Sequence, residues 1–263
     1  MSKPHSGLKR RCPICNAAIE PDAPATKIYC SKAHADKARG LPRVSPGSGG
    51  IVNLADFNKF PQEVKNRILL GHTGASIGFF DIEATHLEAS IGRVLCCVIQ
   101  GLPPDSVPAV YHAHERRYKK PDNFDDSVLV ADIRDALEKY DIIVGHNSKM
   151  FDTKFINARN LRAGERTKRP QYQVDTLWAW RSKAKAWSSL RSIQHFLNTP
   201  TEKTGIAWGS WMNALGWDKR LRADAMSEIV DHCIRDVKAL REVYIRLVKA
   251  DVIRSIRMDG GAL

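Results

Sequence analysis

The run DIIVGHN, residues 141–147, constrains the fold more than any other stretch of the chain. It is short, apolar through its middle, and closed by glycine and polar residues. A strand without polar alternation is covered on both faces, the situation of a buried parallel strand. The rest of the chain agrees with that reading. Strands are expected at 77–83 and 93–99, with a third around 107–112. A helix is expected over 126–139, where Val128, Leu129, Ile133, Ala136 and Leu137 recur at helical spacing. The segment MFDTKFINARNLRAG turns helical, YQVDTLWAW reads as another strand, and SSLRSIQHFLN and SEIVDHCIRDVKALREVYIRLVKA read as helices, the last long and amphipathic. A short helix over 61–70 starts at Pro61. This alternation predicts an α/β protein with a mixed sheet flanked by helices.

Three segments of this frame end in chemistry. FFDIEAT, residues 79–85, places Asp81 and Glu83 two apart on a strand, so both project from one face. Two adjacent carboxylates repel unless a cation lies between them, and a hard, oxygen-seeking ion such as Mg²⁺ suits them. The alternative is a strand end leaving the core with both acids solvated. GHNSKMFDTKF then places Asp152 at a helix start, just after an apolar strand, where ligand sites of open α/β sheets gather. DHCIRDVKAL places His232 and Asp236 four apart, on one helical face. Each has a plainer reading, a helix-start acid or a surface pair. The convergence of all three favours a site.

In order and spacing these segments resemble the three motifs of the DEDD 3′–5′ exonucleases of the ribonuclease H-like superfamily. They match at Asp81-Ile-Glu83, at Asn147 with Phe151-Asp152, and at Asp236 with its upstream base. The chain is most similar to the polymerase-B-like exonucleases of bacteria and phages, through SIGRVLC, DIIVGHN, VDTLW and HCxxDVxxL as well, over about 76–248. The resemblance implies two Mg²⁺ or Mn²⁺ ions held by Asp81, Glu83, Asp152 and Asp236, about 3.5–4 Å apart. It implies release of nucleoside 5′-monophosphates from a 3′ end, with Asn147 and Phe151 on the strand terminus. The family's tyrosine group carries Tyr four residues before the last Asp, and its histidine group His five before. Here His232 stands at the tyrosine spacing and Asp231 at the histidine one, while Tyr244 is too far along the helix. His232, with a reference pKa of about 6.5, is the expected base.

The N-terminal segment reads separately. Of six cysteines, Cys96, Cys97 and Cys233 fall in apolar strand or helix context and read as small buried hydrophobes. Cys12, Cys15, Cys30 and His34 form C-x2-C-x14-C-x3-H, the spacing of one structural Zn²⁺ site. The segment resembles a treble-clef zinc knuckle, with His34 at the usual fourth cysteine. GLPRVSPGSGG has linker composition. The expected organisation is a zinc knuckle over 1–40, a linker over 41–50 and a ribonuclease H-like exonuclease domain over 51–263.

Charge points to the partner. The net charge is +12, and residues 1–45 hold nine Lys/Arg against three acids while 159–191 hold nine against two. Clustered positive charge is the footprint of a polyanion. The resemblance favours DNA, single-stranded or 3′-ended, although an exoribonuclease would use the same acids. A non-catalytic nucleic-acid-binding protein on the same scaffold is the rival reading, and loss of a metal-binding carboxylate would have indicated it. A proofreading role would need a DNA polymerase or replication protein as partner. All six tryptophans lie between 178 and 217; most are expected to serve packing, with at most one or two on substrate. No apolar run approaches the length of a membrane span. The start has no signal-type stretch, so a cytoplasmic protein is expected, in the host cytoplasm if phage-encoded.

Overall fold

The computed structural model describes residues 53–103, 105–118, 125–201 and 205–258. The zinc knuckle expected over 1–40, with Cys12, Cys15, Cys30 and His34, and the linker over 41–50 lie outside the described residues.

Among the described residues, six strands form one sheet in the order β3-β2-β1-β4-β5-β6: β1 Ile77–Ala84, β2 Val94–Gly101, β3 Ala109–His112, β4 Ile142–Gly145, β5 Tyr172–Asp175 and β6 Arg257–Met258. The first three run as an antiparallel meander. β4 joins β1 in parallel, and β5 joins β4 in parallel. β4 is buried along its whole length, as its unbroken apolar run requires. β6 closes the far edge antiparallel to β5; at two residues it gave no sequence signal.

The helices are α1 Gln62–Leu69, α2 Ser127–Leu137, α3 Asp152–Arg162, α4 Thr176–Arg181, α5 Leu190–Leu197, α6 Trp208–Asn213 and α7 Lys219–Lys249. α2 packs against α3, while α7 lies on β1 and β2. Along α7 a single stripe is buried, running from Ala225 and Met226 through Ile229, Cys233, Val237, Leu240 and Tyr244 to Leu247. Tyr244 is core: its ring meets Phe79 edge-on at 5.1 Å and its hydroxyl donates to the Leu69 carbonyl at 2.8 Å.

Two of the expected elements take other bounds, and the short helix α6 was not expected. YQVDTLWAW is a strand only to Asp175, and Trp178 and Trp180 lie on α4. The Asp175 side chain accepts from the Leu177 amide at 3.0 Å, an N-cap that turns the chain into helix. α7 begins at Lys219, eight residues ahead of the expected start at Ser227. Its Asp218 cap accepts from the amides of Arg220 and Leu221, and the polar segment between has little apolar periodicity to announce it.

Candidate active site

β1 delivers the first two acids. Its last residues run beyond the end of β4, which pairs only with Ile77, Gly78 and Phe79. Asp81 and Glu83 therefore stand at the carboxyl end of the sheet, both partly exposed. α7 crosses this end and supplies the rest. His232 Nε2 lies 3.6 Å from Glu83 Oε1 and 3.6 Å from Asp236 Oδ2. Donor atoms of Glu83, His232 and Asp236 fall within 4.8 Å of one another, and so do those of Asp81, Glu83 and Cys233. His232 and Asp236 share the buried stripe of α7, so the site is cut into the core face of that helix.

Asp152 comes from α3. It is the first residue of α3, only 3% exposed, and its Oδ1 accepts from the Ile82 amide at 3.1 Å. Ile82 sits between Asp81 and Glu83, so this bond ties Asp152 to the strand backbone between the two acids, while its carboxylate falls in neither 4.8 Å group. Burial pushes the Asp152 pKa up to about 7, and the Asp175 carboxylate adds to the rise. The amides of Ile82 and of Asp152 itself oppose it.

The turn before Asp152 is held by β5. Asp175 accepts from the Asn147 amide at 2.9 Å and from the Lys149 amide at 3.1 Å. Gln173 donates to Ser148 Oγ at 2.9 Å and to Thr153 Oγ1 at 3.2 Å. Asn147 has φ of 63°, a left-handed conformation that asparagine tolerates better than most residues. Its carbonyl accepts from the amides of Met150 and Phe151. Gly145 is required by close approach, because a Cβ there would run into Ser148. Phe151 is half-buried, 5.6 Å from the Phe155 ring.

Sequence reasoning missed Asp175 as the clamp of this turn; its signal was an acid followed by Thr at the end of a buried strand. It also missed the contact of Cys233, whose sulfur lies 3.4 Å from the Asp81 carbonyl and 3.7 Å from Asp81 Oδ2. Burial first, then Cys96 and the carboxylates of Asp81 and Glu83, push the Cys233 thiol well above its ordinary value. A protonated thiol beside carboxylates is a poor seat for a soft ion. The donor set is mainly carboxylate oxygen with one imidazole, which fits hard divalent cations such as Mg²⁺ or Mn²⁺.

The basic stretch 159–191 divides in two. Arg159 pairs with Asp126 at 2.6 Å, both almost fully buried, and thereby anchors α3. Arg166 pairs with Glu138 and Asp135, and Arg169 with Glu138. Arg181, Lys183, Lys185 and Arg191 are exposed. Among the tryptophans, Trp180 is buried, whereas Trp178, Trp187 and Trp217 are 53%, 86% and 96% exposed. Packing therefore claims fewer of them than expected. No described helix is long and apolar enough to cross a membrane.

A mixed sheet with acids at the carboxyl end of its central strands, faced by acid and imidazole from a covering helix, defines a ribonuclease H-like centre. A family model described as RNase_H_2, RNase_H superfamily, matches residues 78–248, and the chain belongs to that superfamily. No curated protein matches the sequence. Among solved structures, the chain is similar to the family B DNA polymerase from the hyperthermophilic archaeon Pyrobaculum calidifontis. Sequence identity is 17%, the TM-score is 0.52, and the match covers 68% of this chain and 25% of the polymerase. The chain thus spans about a quarter of that protein's length, and the likeness is one of fold. Superfamily, acid cluster and fold together support a nuclease.

Proposed function

We propose that the chain is a metal-dependent 3′–5′ exonuclease that removes nucleoside 5′-monophosphates from nucleic-acid 3′ ends, with DNA the favoured substrate. The observation that carries this reading is the acid cluster centred on Glu83, which meets Asp81 in one group and His232 and Asp236 in another, with Asp152 bonded to the β1 backbone between the first two acids. Asp81, Glu83, Asp152 and Asp236 are the residues that would hold two Mg²⁺ or Mn²⁺ ions. Such ions, when bound, supply an acidified water and charge stabilisation for the leaving 3′ oxygen.

The protein's own groups do the remaining work. His232 Nε2 faces the acid cluster and is placed to accept a proton there, the role of a general base. Because Nε2 lies as near to Glu83 as to Asp236, direct metal ligation by His232 is a second reading of the same geometry. Asn147 and Phe151 precede Asp152 on the turn clamped by Asp175, a position suited to seating a strand terminus. The proposed chain organisation adds a zinc knuckle at Cys12, Cys15, Cys30 and His34 ahead of the exonuclease domain. A proofreading role would require a DNA polymerase as partner.

The deciding experiment measures mononucleotide release from 3′-labelled single-stranded DNA and RNA. Release should require Mg²⁺ or Mn²⁺ and vanish in Asp81→Asn. Full release without a divalent ion, or by that variant, would end the reading.

A further inference from the structure

A second feature lies outside the acid cluster. The loop after α4 and the exposed side of α5 form a groove of about 480 Å³, lined by Ala186, Trp187, Arg191, Ser192, His195 and Phe196. Two large apolar side chains are open to solvent here, Trp187 at 86% and Phe196 at 68%. Phe196 is braced from behind: the buried Trp180 ring meets it edge-on at 5.5 Å. Trp180 also donates through Nε1 to the Trp187 carbonyl at 3.2 Å, so one core tryptophan supports both aromatic residues of the groove.

The surroundings carry one sign of charge. Between Asp175 and Glu202 the chain has no acid, but it has Arg181, Lys183, Lys185 and Arg191. The ammonium groups of Lys183 and Lys185 and the Arg191 guanidinium pair with no carboxylate among the described residues. Solvent-facing aromatics rimmed by unneutralised cations are poorly explained by packing. They are the two components of a surface that stacks unpaired bases and tracks their phosphates.

The groove is tied to the acid site. His146, adjacent to Asn147, bonds through Nε2 to the Ser188 carbonyl at 3.0 Å and through Nδ1 to Thr176 Oγ1 at 2.9 Å. Ser188 follows Trp187 directly. The aromatic loop is therefore fastened to the turn that presents Asp152.

We infer that this groove is a stacking subsite for unpaired bases of a single-stranded nucleic acid whose 3′ end lies in the acid cluster. Trp187 and Phe196 offer the ring faces, and Arg191 meets a phosphate. This rests on the nuclease reading for the position of the 3′ end, but not for the stacking itself.

The test is binding of a fluorescein-labelled oligothymidylate to the full chain on the Asp81→Asn background, which keeps the strand intact without a chelator. Trp187→Ala and Phe196→Ala should each weaken binding by roughly 5- to 100-fold, the worth of one lost stack. Trp187→Phe should retain most of the affinity, and Arg191→Gln should lower the salt slope by about one. An abasic strand of the same length should bind weakly and equally to parent and Trp187→Ala. The control is Trp217→Ala, as exposed as Trp187 but outside the groove, which should bind as the parent does. Unchanged affinity in Trp187→Ala, or equal loss in Trp217→Ala, would overturn the subsite and leave the aromatics to a protein partner. Hydrolysis of thymidine 5′-monophosphate p-nitrophenyl ester by the unmodified protein tests the nuclease reading alone, since a substrate with a single base offers no second base to stack in the groove.

Discussion

Replacing Asp152 by asparagine should make the metal-free protein more stable at neutral pH while abolishing nucleotide release. Burial pushes this carboxyl up to about 7, whereas an unfolded aspartate titrates near about 3.9. The folded pKa is the higher one. Its contribution to stability is therefore intact below about pH 4 and lost as pH rises towards 7. A span of about three pH units at about 1.4 kcal/mol each amounts to about 4 kcal/mol. Asparagine keeps the oxygen that accepts from Ile82 and carries no charge at any pH. Its new NH₂ group lies in a buried position, which costs about 1–3 kcal/mol without a partner. The net gain is about 1–3 kcal/mol, a rise in Tm of about 3–10 °C for a chain of this size. Thermal unfolding of protein dialysed free of divalent ions, from pH 4.5 to 8, measures it. The advantage should grow with pH and level off above 7. Added Mg²⁺ should stabilise the parent and leave the variant unmoved. A variant less stable than its parent at pH 8, or offset equally at every pH, would refute the argument that a buried charge is the cause.

His232→Ala should lower turnover by about 10²–10⁴-fold if the imidazole is the base; a parent-like rate would assign it to packing. Measured alongside, Mn²⁺ affinity separates the base role, which leaves it unchanged, from ligation, which does not. Asp175→Ala removes the acceptor for the Asn147, Lys149 and Leu177 amides and should destabilise by about 2–4 kcal/mol, with a larger loss of activity than of strand binding; chemical denaturation and single-turnover rates check both. Purified protein should contain one equivalent of zinc that is lost in Cys12→Ser, and metal analysis below a tenth of an equivalent in the parent would make the Cys3His spacing fortuitous.

The elements most legible in the sequence were those whose pattern has one structural solution. An unbroken apolar run such as Ile142–Gly145 must be buried on both faces, and the alternation ending in Asp81 and Glu83 must put both acids on one side. His232 and Asp236 followed from helical spacing, and they do meet Glu83. The misreadings have a common physical origin. At Asp175 a four-residue strand passes directly into helix, and Val174, Leu177 and Trp180 read apolar under either geometry, so only the cap distinguishes them. The clamp that Asp175 places on the Asn147 turn is a contact between residues 28 apart, which no local pattern encodes. The basic stretch misled in part because Arg159, Arg166 and Arg169 are neutralised by acids from elsewhere in the fold.

α7 has a consequence for how chains of this design can change in length. His232, Cys233 and Asp236 occupy the same stripe as Val237, Leu240 and Tyr244, so the site and the core share one helical register. Inserting one residue directly after Asp236 would turn everything upstream by about 100° relative to the anchored half. Asp236 would then swing off the sheet while the apolar residues behind it stayed in place. Such a protein could still fold from Val237 onward yet lose its acid cluster. Indels are therefore cheap in the loops beyond Asp218 and Ala250 and ruinous within this helix, where only steps near a whole number of turns restore the alignment.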